Sequence, residues 1–300
     1  MSARGLHVGV LLPTRVGEGL EAAPIERALE LAERAEALGL DSVWAGESVL
    51  ARPRHDPYTV LAAAAARTRR ISLGTSVALP ALHAPLLFAY RLAALNELAR
   101  GRLALGAGIG IDNPATRAEF EAAGAPFEKR VGLMLASVRA ARERIEHAPP
   151  FWAGATLARE AALERAGRHF DGWIPTAPSA ESYAAGWKSV RAAATAAGRD
   201  ADALTPAVYL TVSLADDASA AESALRAYIE PYYGVPYDVM RRVQGMCAGT
   251  AEQCAEWLAG YARAGVRHVV LRSPDLAGQI DALAGEVAPR LCALLERNGP

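Results

Sequence analysis

The chain has 300 residues, 52% of them hydrophobic, enough for a large core. One domain spanning residues 1–300 is expected, since (β/α)8 barrels run to roughly 250 residues or more as a single unit. With 32 basic and 33 acidic residues the net charge is −1, spread along the chain, which leaves no electrostatic footprint for nucleic acid or an anionic membrane. No signal peptide or apolar span of about 18 residues is visible, so the expectation is a soluble, cytoplasmic protein.

Strand-like and helix-like segments alternate throughout. Leu6–Leu12 reads as a strand closed by Pro13, and Pro24 opens a helix with Ile25, Ala28, Leu29, Ala32, Ala35 and Leu38 at helical spacing before Gly39. Asp41–Ala45 is the second strand. Asp56-Pro57 caps and starts an alanine-rich helix to Thr68. The third strand, Ile71–Val77, and the fourth, Arg102–Ala107, flank a helix that starts at Pro85. Both strands are continuously apolar and end in small residues, the pattern of parallel strands buried on both faces. Pro126 begins a long helix to about Glu146, Phe151–Ala153 is a fifth strand, and a helix over about 157–166 follows. Gly172–Ile174, Pro206–Leu214 and Arg267–Leu271 complete eight strands, with helices at 180–197 and 276–296. Eight such units without a linker predict an α/β fold, a single (β/α)8 TIM barrel, with an open doubly wound sheet as the alternative.

In such a barrel the residues after each strand form the active site. Glu47 is the one carboxylate at the end of an early strand, suited to a hydrogen bond with a cofactor ring or ribityl hydroxyl, or else a solvated loop residue. Arg52, Arg54 and His55 follow it, either an acid-binding group or an ordinary exposed loop. Gly106-Ala107-Gly108-Ile109-Gly110 lacks the dinucleotide spacing and follows the fourth strand, so it reads as a tight turn or as close backbone approach to a planar ring. Gly154-Ala155-Thr156 leads into a helix N-terminus that favours a phosphate, with Thr156 also a candidate N-cap and Thr176 beside it after the sixth strand. His7, His169 and His268 fall at strand starts, on the opposite face, as structural or solvent-facing residues. The six histidines form no ligand cluster, so no metal is expected. Cys247, Cys254 and Cys292 are sparse and odd in number, which suggests buried thiols rather than a disulfide framework. A site poor in acid–base groups and rich in glycine suits an enzyme that leaves the chemistry to a cofactor.

Several of these residues form a family pattern. Asp41-Ser-Val-Trp44, Leu73-Gly-Thr-Ser-Val77, the run from Gly101 to Gly108, Pro126-Phe-Glu128, Asp171-Gly-Trp-Ile-Pro175, Gly249-Thr-Ala-Glu252 and Ala264–Val270 resemble, in order, the landmarks of the luciferase-like flavin and deazaflavin oxidoreductases. The Gly-Thr-Ser-Val stretch is most similar to the F420-dependent branch. The resemblance implies a cis peptide at Ser76–Val77 that buttresses the cofactor ring. It implies cofactor contacts at Glu47, Ser76 and Val77, ring support from Gly106, Ala107 and Gly108, a phosphate loop at Gly154, Ala155 and Thr156, and a further contact at Thr176. Ser48 stands where the family carries a catalytic His. Ile111 stands where the sugar-phosphate enzymes carry a Glu, with Asp112 one place on, which counts against sugar-phosphate oxidation. The stretch before the fifth strand is short, so the mouth is expected to be open, admitting a bulky substrate or relying on a second copy in a homodimer. The implied activity is hydride transfer between F420 and a small organic substrate, with Glu47, His55 and Asp112 as catalytic acid–base candidates. An FMN-dependent monooxygenase is the alternative, and a non-catalytic flavin-binding barrel a third reading.

Overall fold

The structure is a computed structural model and describes residues 5–16 and 24–297. Its strands are β1 (His7–Leu11), β2 (Ser42–Ala45), β3 (Ser72–Ala78), β4 (Leu103–Ala107), β5 (Phe151–Ala153), β6 (Gly172–Trp173), β7 (Thr205–Leu214), β8 (Met246–Gly249) and β9 (His268–Arg272). Eight of them close a parallel barrel in the order β1-β2-β3-β4-β5-β6-β7-β9, with β9 pairing back onto β1. The predicted (β/α)8 barrel is the observed fold.

The ninth strand, β8, is a departure from the sequence expectation. Thr211 on β7 pairs with Arg272 of β9 on one edge and with Met246 of β8 on the other. β8 therefore continues the edge that β6 leaves after two residues, outside the ring of eight. Its Met-Cys-Ala-Gly sequence has neither alternation nor β-branched residues.

The helices are α1 (Ile25–Ala37), α2 (Pro57–Arg67), α3 (Pro85–Ala99), α4 (Pro114–Ala122), α5 (Arg130–Arg144), α6 (Glu160–His169), α7 (Ala180–Ala196), α8 (Ala218–Tyr233), α9 (Tyr237–Met240), α10 (Ala251–Arg263), α11 (Leu276–Ala282) and α12 (Ala288–Arg297). Asp56 caps α2 by accepting from Thr59 N at 2.8 Å. Helix α4 was not predicted, although Asn113-Pro114 is a cap and first-turn proline of the same kind, with Asn113 accepting from Thr116 N. Phe127–Lys129 forms a 3₁₀ turn, so the helix expected from Pro126 starts at Arg130. Helix α6 likewise starts at Glu160, with Arg159 as its N-cap. Thr156 is thus not the cap; its Oγ1 accepts from Ala158 N at 3.3 Å inside the preceding loop.

The barrel interior is packed, not hollow. Leu11, Trp44, Ala104, Trp152, Ile174, Ala207, Tyr209 and Val270 form one buried cluster, with Val77 against it. Strand periodicity of two points His268, Val270 and Arg272 of β9 inward at successive heights. Gly74 is required by this packing: a Cβ there would lie 2.3 Å from the Trp44 ring. At the base, Trp44 Nε1 donates to Ser42 Oγ at 2.7 Å, and Ser42 Oγ lies 2.8 Å from His268 Nε2. Ser42 Oγ thus joins the Trp44 indole to the His268 ring, one of its two lone pairs taken by the Trp44 N–H. Burial, with His7 alongside, pushes the His268 pKa down to about 3. His268 is therefore a neutral core residue.

Cys254 is fully buried, and Cys247 Sγ lies 3.3 Å from Cys254 Sγ, both as free thiols. No helix among the described residues is long and apolar enough to cross a membrane. A concavity of about 540 Å³ beside α1 and α11, lined by Pro13, Arg27, Leu31 and Leu276, holds none of the candidate site residues.

Candidate active site

The carboxyl ends of β2 to β5 converge on one residue, Val77. The Ser76–Val77 peptide bond is cis, and the β3–β4 register shifts between Thr75 and Ala78. A Cβ on Gly154 would lie 2.6 Å from Val77 Cγ1, one on Gly108 2.6 Å from Val77 Cγ2, and one on Gly106 2.2 Å from Thr75 O and 3.4 Å from Val77 Cγ1. Gly108 and Gly154, from two neighbouring strand ends, thus clear the volume that Val77 fills, while Gly106 is required by the Thr75 carbonyl. The immediate requirement at all three is the protein's own atoms, a different cause from direct approach to a ring. Backbone bonds lace this shelf together: Glu47 N donates to Val77 O at 3.0 Å, Gly108 N to Ala78 O at 2.8 Å, and Gly154 N to Ala107 O at 2.8 Å.

Glu47 lies beneath this turn, its side chain only 4% exposed. Oε2 accepts from Leu79 N at 2.6 Å, and Oε1 is 2.6 Å from His83 Nε2. Both carboxylate oxygens therefore have partners within the chain, one of them a histidine that the sequence reading did not single out. The His83 ring meets Tyr58 edge-on and lies beside Phe88, at centroid distances of 5.8 and 6.2 Å. Burial first, and the Glu47 charge second, hold the Tyr58 phenol well above its ordinary pKa.

Ser48, in the place of the family's histidine, serves the loop. Its hydroxyl donates to Glu119 Oε1 at 2.9 Å, and the same oxygen accepts from Val49 N and from Leu50 N at 2.9 Å. Arg52 N donates back to Ser48 Oγ at 2.8 Å. Glu119, on α4 and 2% exposed, is thus the buried anchor of the 48–52 turn.

The remaining candidates are dispersed. Asp112 is at the surface, 2.7 Å from Arg117, whose hydrogen bond holds the carboxyl below its usual pKa. His55 is half-buried, and its backbone N donates to Thr14 O at 2.8 Å, tying the β2 loop to the β1 loop. Ala155 O accepts from Trp173 Nε1 at 3.1 Å, and the exposed Thr176 donates to Val243 O at 3.2 Å. Glu47, Ser76, Val77, Gly106, Ala107, Gly108 and Gly154 come together; Asp112 and Thr176 are held in other hydrogen-bond groups.

Past Gly154, the α6 N-terminus has no side-chain cap, which leaves its first amides available to an anion. Arg130, at the start of α5, lies over the Phe127 ring at 3.8 Å, with Nε buried and without a partner. Burial, then the Arg130 charge, lowers the pKa of Arg165 on α6. Arg130 and Arg165 stand on this side of the mouth with Glu160 in the first turn of α6, and Arg130 Nε is the buried donor there without a partner among the described residues, a group a phosphate would satisfy.

Residues 6–156 and 136–268 match the model of the luciferase-like monooxygenase family, and the chain belongs to that family. It is 29% identical over 234 residues to the 5,10-methylenetetrahydromethanopterin reductase of Methanolobus tindarius, covering 70% of this chain and 69% of that enzyme. A shorter match, 41% identical over 92 residues, links it to the limonene 1,2-monooxygenase of Rhodococcus erythropolis, over 29% of this chain and 23% of that one. The fold is similar to that of an F420-dependent secondary alcohol dehydrogenase solved in complex with an F420-acetone adduct. The TM-score is 0.79 at 19% identity, over 95% of this chain and 99% of that one.

Proposed function

We propose that this chain is an F420-dependent oxidoreductase acting on a small organic substrate. The observation that carries the reading is the Val77 shelf at the carboxyl ends of β3 to β5, with the Val77 side chain seated against Gly108 and Gly154 where neither leaves room for a Cβ. The similarity to a methylenetetrahydromethanopterin reductase supports it from a separate direction. Ser76, Val77, Ala107 and the glycines would support the ring. Gly154, Ala155, Thr156, the uncapped α6 terminus and Arg130 would hold a phosphate, with Thr176 at the rim. When bound, the deazaflavin supplies or accepts the hydride.

The chain's own part is binding and proton handling. Glu47 Oε1 lies 2.6 Å from His83 Nε2 beside the Val77 turn, and we assign proton transfer to this pair, with His55 second. Asp112 is assigned to its ion pair with Arg117. An FMN-dependent monooxygenase is the second reading, favoured by the local match to a limonene monooxygenase.

Fluorescence titration of the purified protein with F420 and with FMN distinguishes the two. Tight FMN binding without F420 binding would remove the first reading. Binding of either cofactor without turnover of any reduced form would leave a non-catalytic barrel.

A further inference from the structure

On the far side of the mouth from the phosphate loop, four guanidinium groups crowd one tyrosine. β5 and β1 lie four strands apart in either direction around the closed ring. Arg15 follows β1, Arg52 and Arg54 follow β2, and Arg272 ends β9. Their Cζ atoms lie 4.5, 5.9, 5.8 and 4.6 Å from the centre of the Tyr232 ring. Arg34, Arg117 and Arg142 each sit on a carboxylate. None of these four arginines forms an ion pair with a described residue. The acids nearest Arg15 in sequence, Glu18 and Glu21, lie outside the described residues.

Neutral groups do part of the work. Arg272, 1% exposed, donates to Thr211 Oγ1 at 2.9 and 3.1 Å and to Tyr233 OH at 3.0 Å. Arg54 donates to Tyr232 OH, and Arg52 Nε to Tyr232 O at 3.3 Å. Arg15 Nη1 is buried with no hydrogen-bond partner among the described residues. Burial raises the Tyr232 pKa, but Arg54, Arg272, Arg52 and Arg15 together outweigh it and bring the phenol below its ordinary value. Burial lowers the Arg15 pKa as well, with the Arg54 and Arg52 charges adding to the effect against Tyr232. Among the described residues no carboxylate pairs with this cluster of like charges, the condition a bound anion would relieve.

The cluster abuts the shelf. A Cβ on Gly46 would lie 3.2 Å from Ser76 O and 3.3 Å from Arg54 Nε, so Arg54 and the cis peptide share one neighbour. Arg272 lies 5.5 Å from the ring of Tyr209, which belongs to the same interior cluster that Val77 packs on.

We propose that Arg15, Arg52, Arg54 and Arg272 form a subsite for an organic anion, a carboxylate or phosphate monoester whose apolar skeleton lies along Tyr232 and Tyr233 and reaches the Val77 shelf. The proposal rests on the cofactor reading above only for what happens at the shelf. Fork-shaped guanidinium donors fix the oxyanion, the tyrosine rings take the skeleton, and an uncharged analogue leaves the arginines unpaired.

Calorimetric titration with phenyl phosphate, benzoate and uncharged benzamide tests the subsite, run with and without saturating F420. At least one of the two anions is expected to bind at least tenfold more tightly than benzamide, and Arg15→Gln and Arg52→Gln to remove that preference, with Arg15→Lys restoring part of it. F420 affinity, read by fluorescence, is expected to stay within about twofold in these variants, whose folding is checked by thermal melting. Equal binding of anions and benzamide by the wild type overturns the subsite, as does a preference that survives in folded Arg15→Gln and Arg52→Gln. Loss of F420 affinity in the arginine variants would also overturn it, by assigning the cluster to the cofactor. If neither F420 nor FMN binds while the arginine-dependent preference persists, the cofactor reading fails and the subsite stands. The preferred anion tells carboxylate from phosphate.

Discussion

His268 makes the stability of this barrel acid-sensitive from pH 6.5 downward, and between pH 5 and 6.5 it does so above the range where the carboxylates titrate. Its ring is enclosed by Trp44 and Trp152 at centroid distances of 5.3 and 5.1 Å, and its Nε2 is hydrogen-bonded to Ser42 Oγ at 2.8 Å. With a folded pKa of about 3 against about 6.5 unfolded, protons bind the unfolded chain preferentially between these values. The folded state therefore keeps its full stability above pH 6.5 and loses about 1.4 kcal/mol per pH unit below it. At pH 5 the loss relative to pH 8 is about 2 kcal/mol. His169, lowered by burial and then by Arg168 and Arg199, adds a smaller term of the same sign. His7 runs the other way: its hydrogen bond to Asp41 raises the pKa, so it adds stability at acid pH that fades as pH rises through that value, and its half-exposed position keeps the term small. Urea unfolding followed by tryptophan fluorescence at pH 5 and pH 7.5 reads the net effect, since two of the five tryptophans touch the ring. His268→Gln, whose amide can hydrogen-bond Ser42 without titrating, should reduce the pH difference to below about 0.5 kcal/mol, the residue left by the other histidines. A wild-type chain equally stable at both pH values, or a variant that keeps the wild-type slope, would refute the neutral, Ser42-bonded assignment.

Gly108→Ala places a methyl 2.6 Å from Val77 Cγ2; it should cost about 1–3 kcal/mol in unfolding free energy and weaken cofactor binding. Val77→Ala in the same chain should recover most of the stability, and additive effects in that cycle would separate the glycine from Val77. Glu119→Gln removes the charge from an acceptor of three hydrogen bonds and should lower stability by about 1–3 kcal/mol, with new proteolytic cleavage between residues 48 and 52. An unchanged denaturation midpoint would show the anchor to be dispensable. Glu47→Gln should lower turnover by about 10²–10⁴-fold, and Asp112→Asn should leave it within about twofold. His55→Ala should lower turnover with little change in cofactor affinity, and full activity in both Glu47→Gln and His55→Ala would move the proton source to solvent or substrate.

The barrel was legible because its strands announce themselves locally. Leu73–Val77 and Leu103–Ala107 are apolar on both faces, and prolines at 24, 57 and 85 mark helix starts. Failures arose where the signal was weak or shared. β8 is held by pairing with β7, a tertiary cause that four small residues cannot reveal. Asn113-Pro114 had the same form as Asp56-Pro57, but the apolar periodicity after it is short, with only Thr116, Glu119 and Phe120 buried in α4.

The site divides along the same line. Strand ends could be placed by counting, so the residues around Val77 could be named before their geometry was known. Partners from distant segments could not: His83 lies 36 residues from Glu47, and Glu119 lies 71 from Ser48. The glycines show how position and cause come apart. Sequence put Gly106, Gly108 and Gly154 at the mouth, yet the atom that forbids a Cβ at Gly108 and Gly154 is a Val77 methyl. This bears on how the proposed phosphate loop is probed. Gly154→Asp would introduce a charge and also displace Val77 across 2.6 Å, so lost cofactor binding there has two explanations. Arg130, whose Nε is buried without a partner, separates them, because its replacement removes a donor from the phosphate side while the Val77 cradle stays intact.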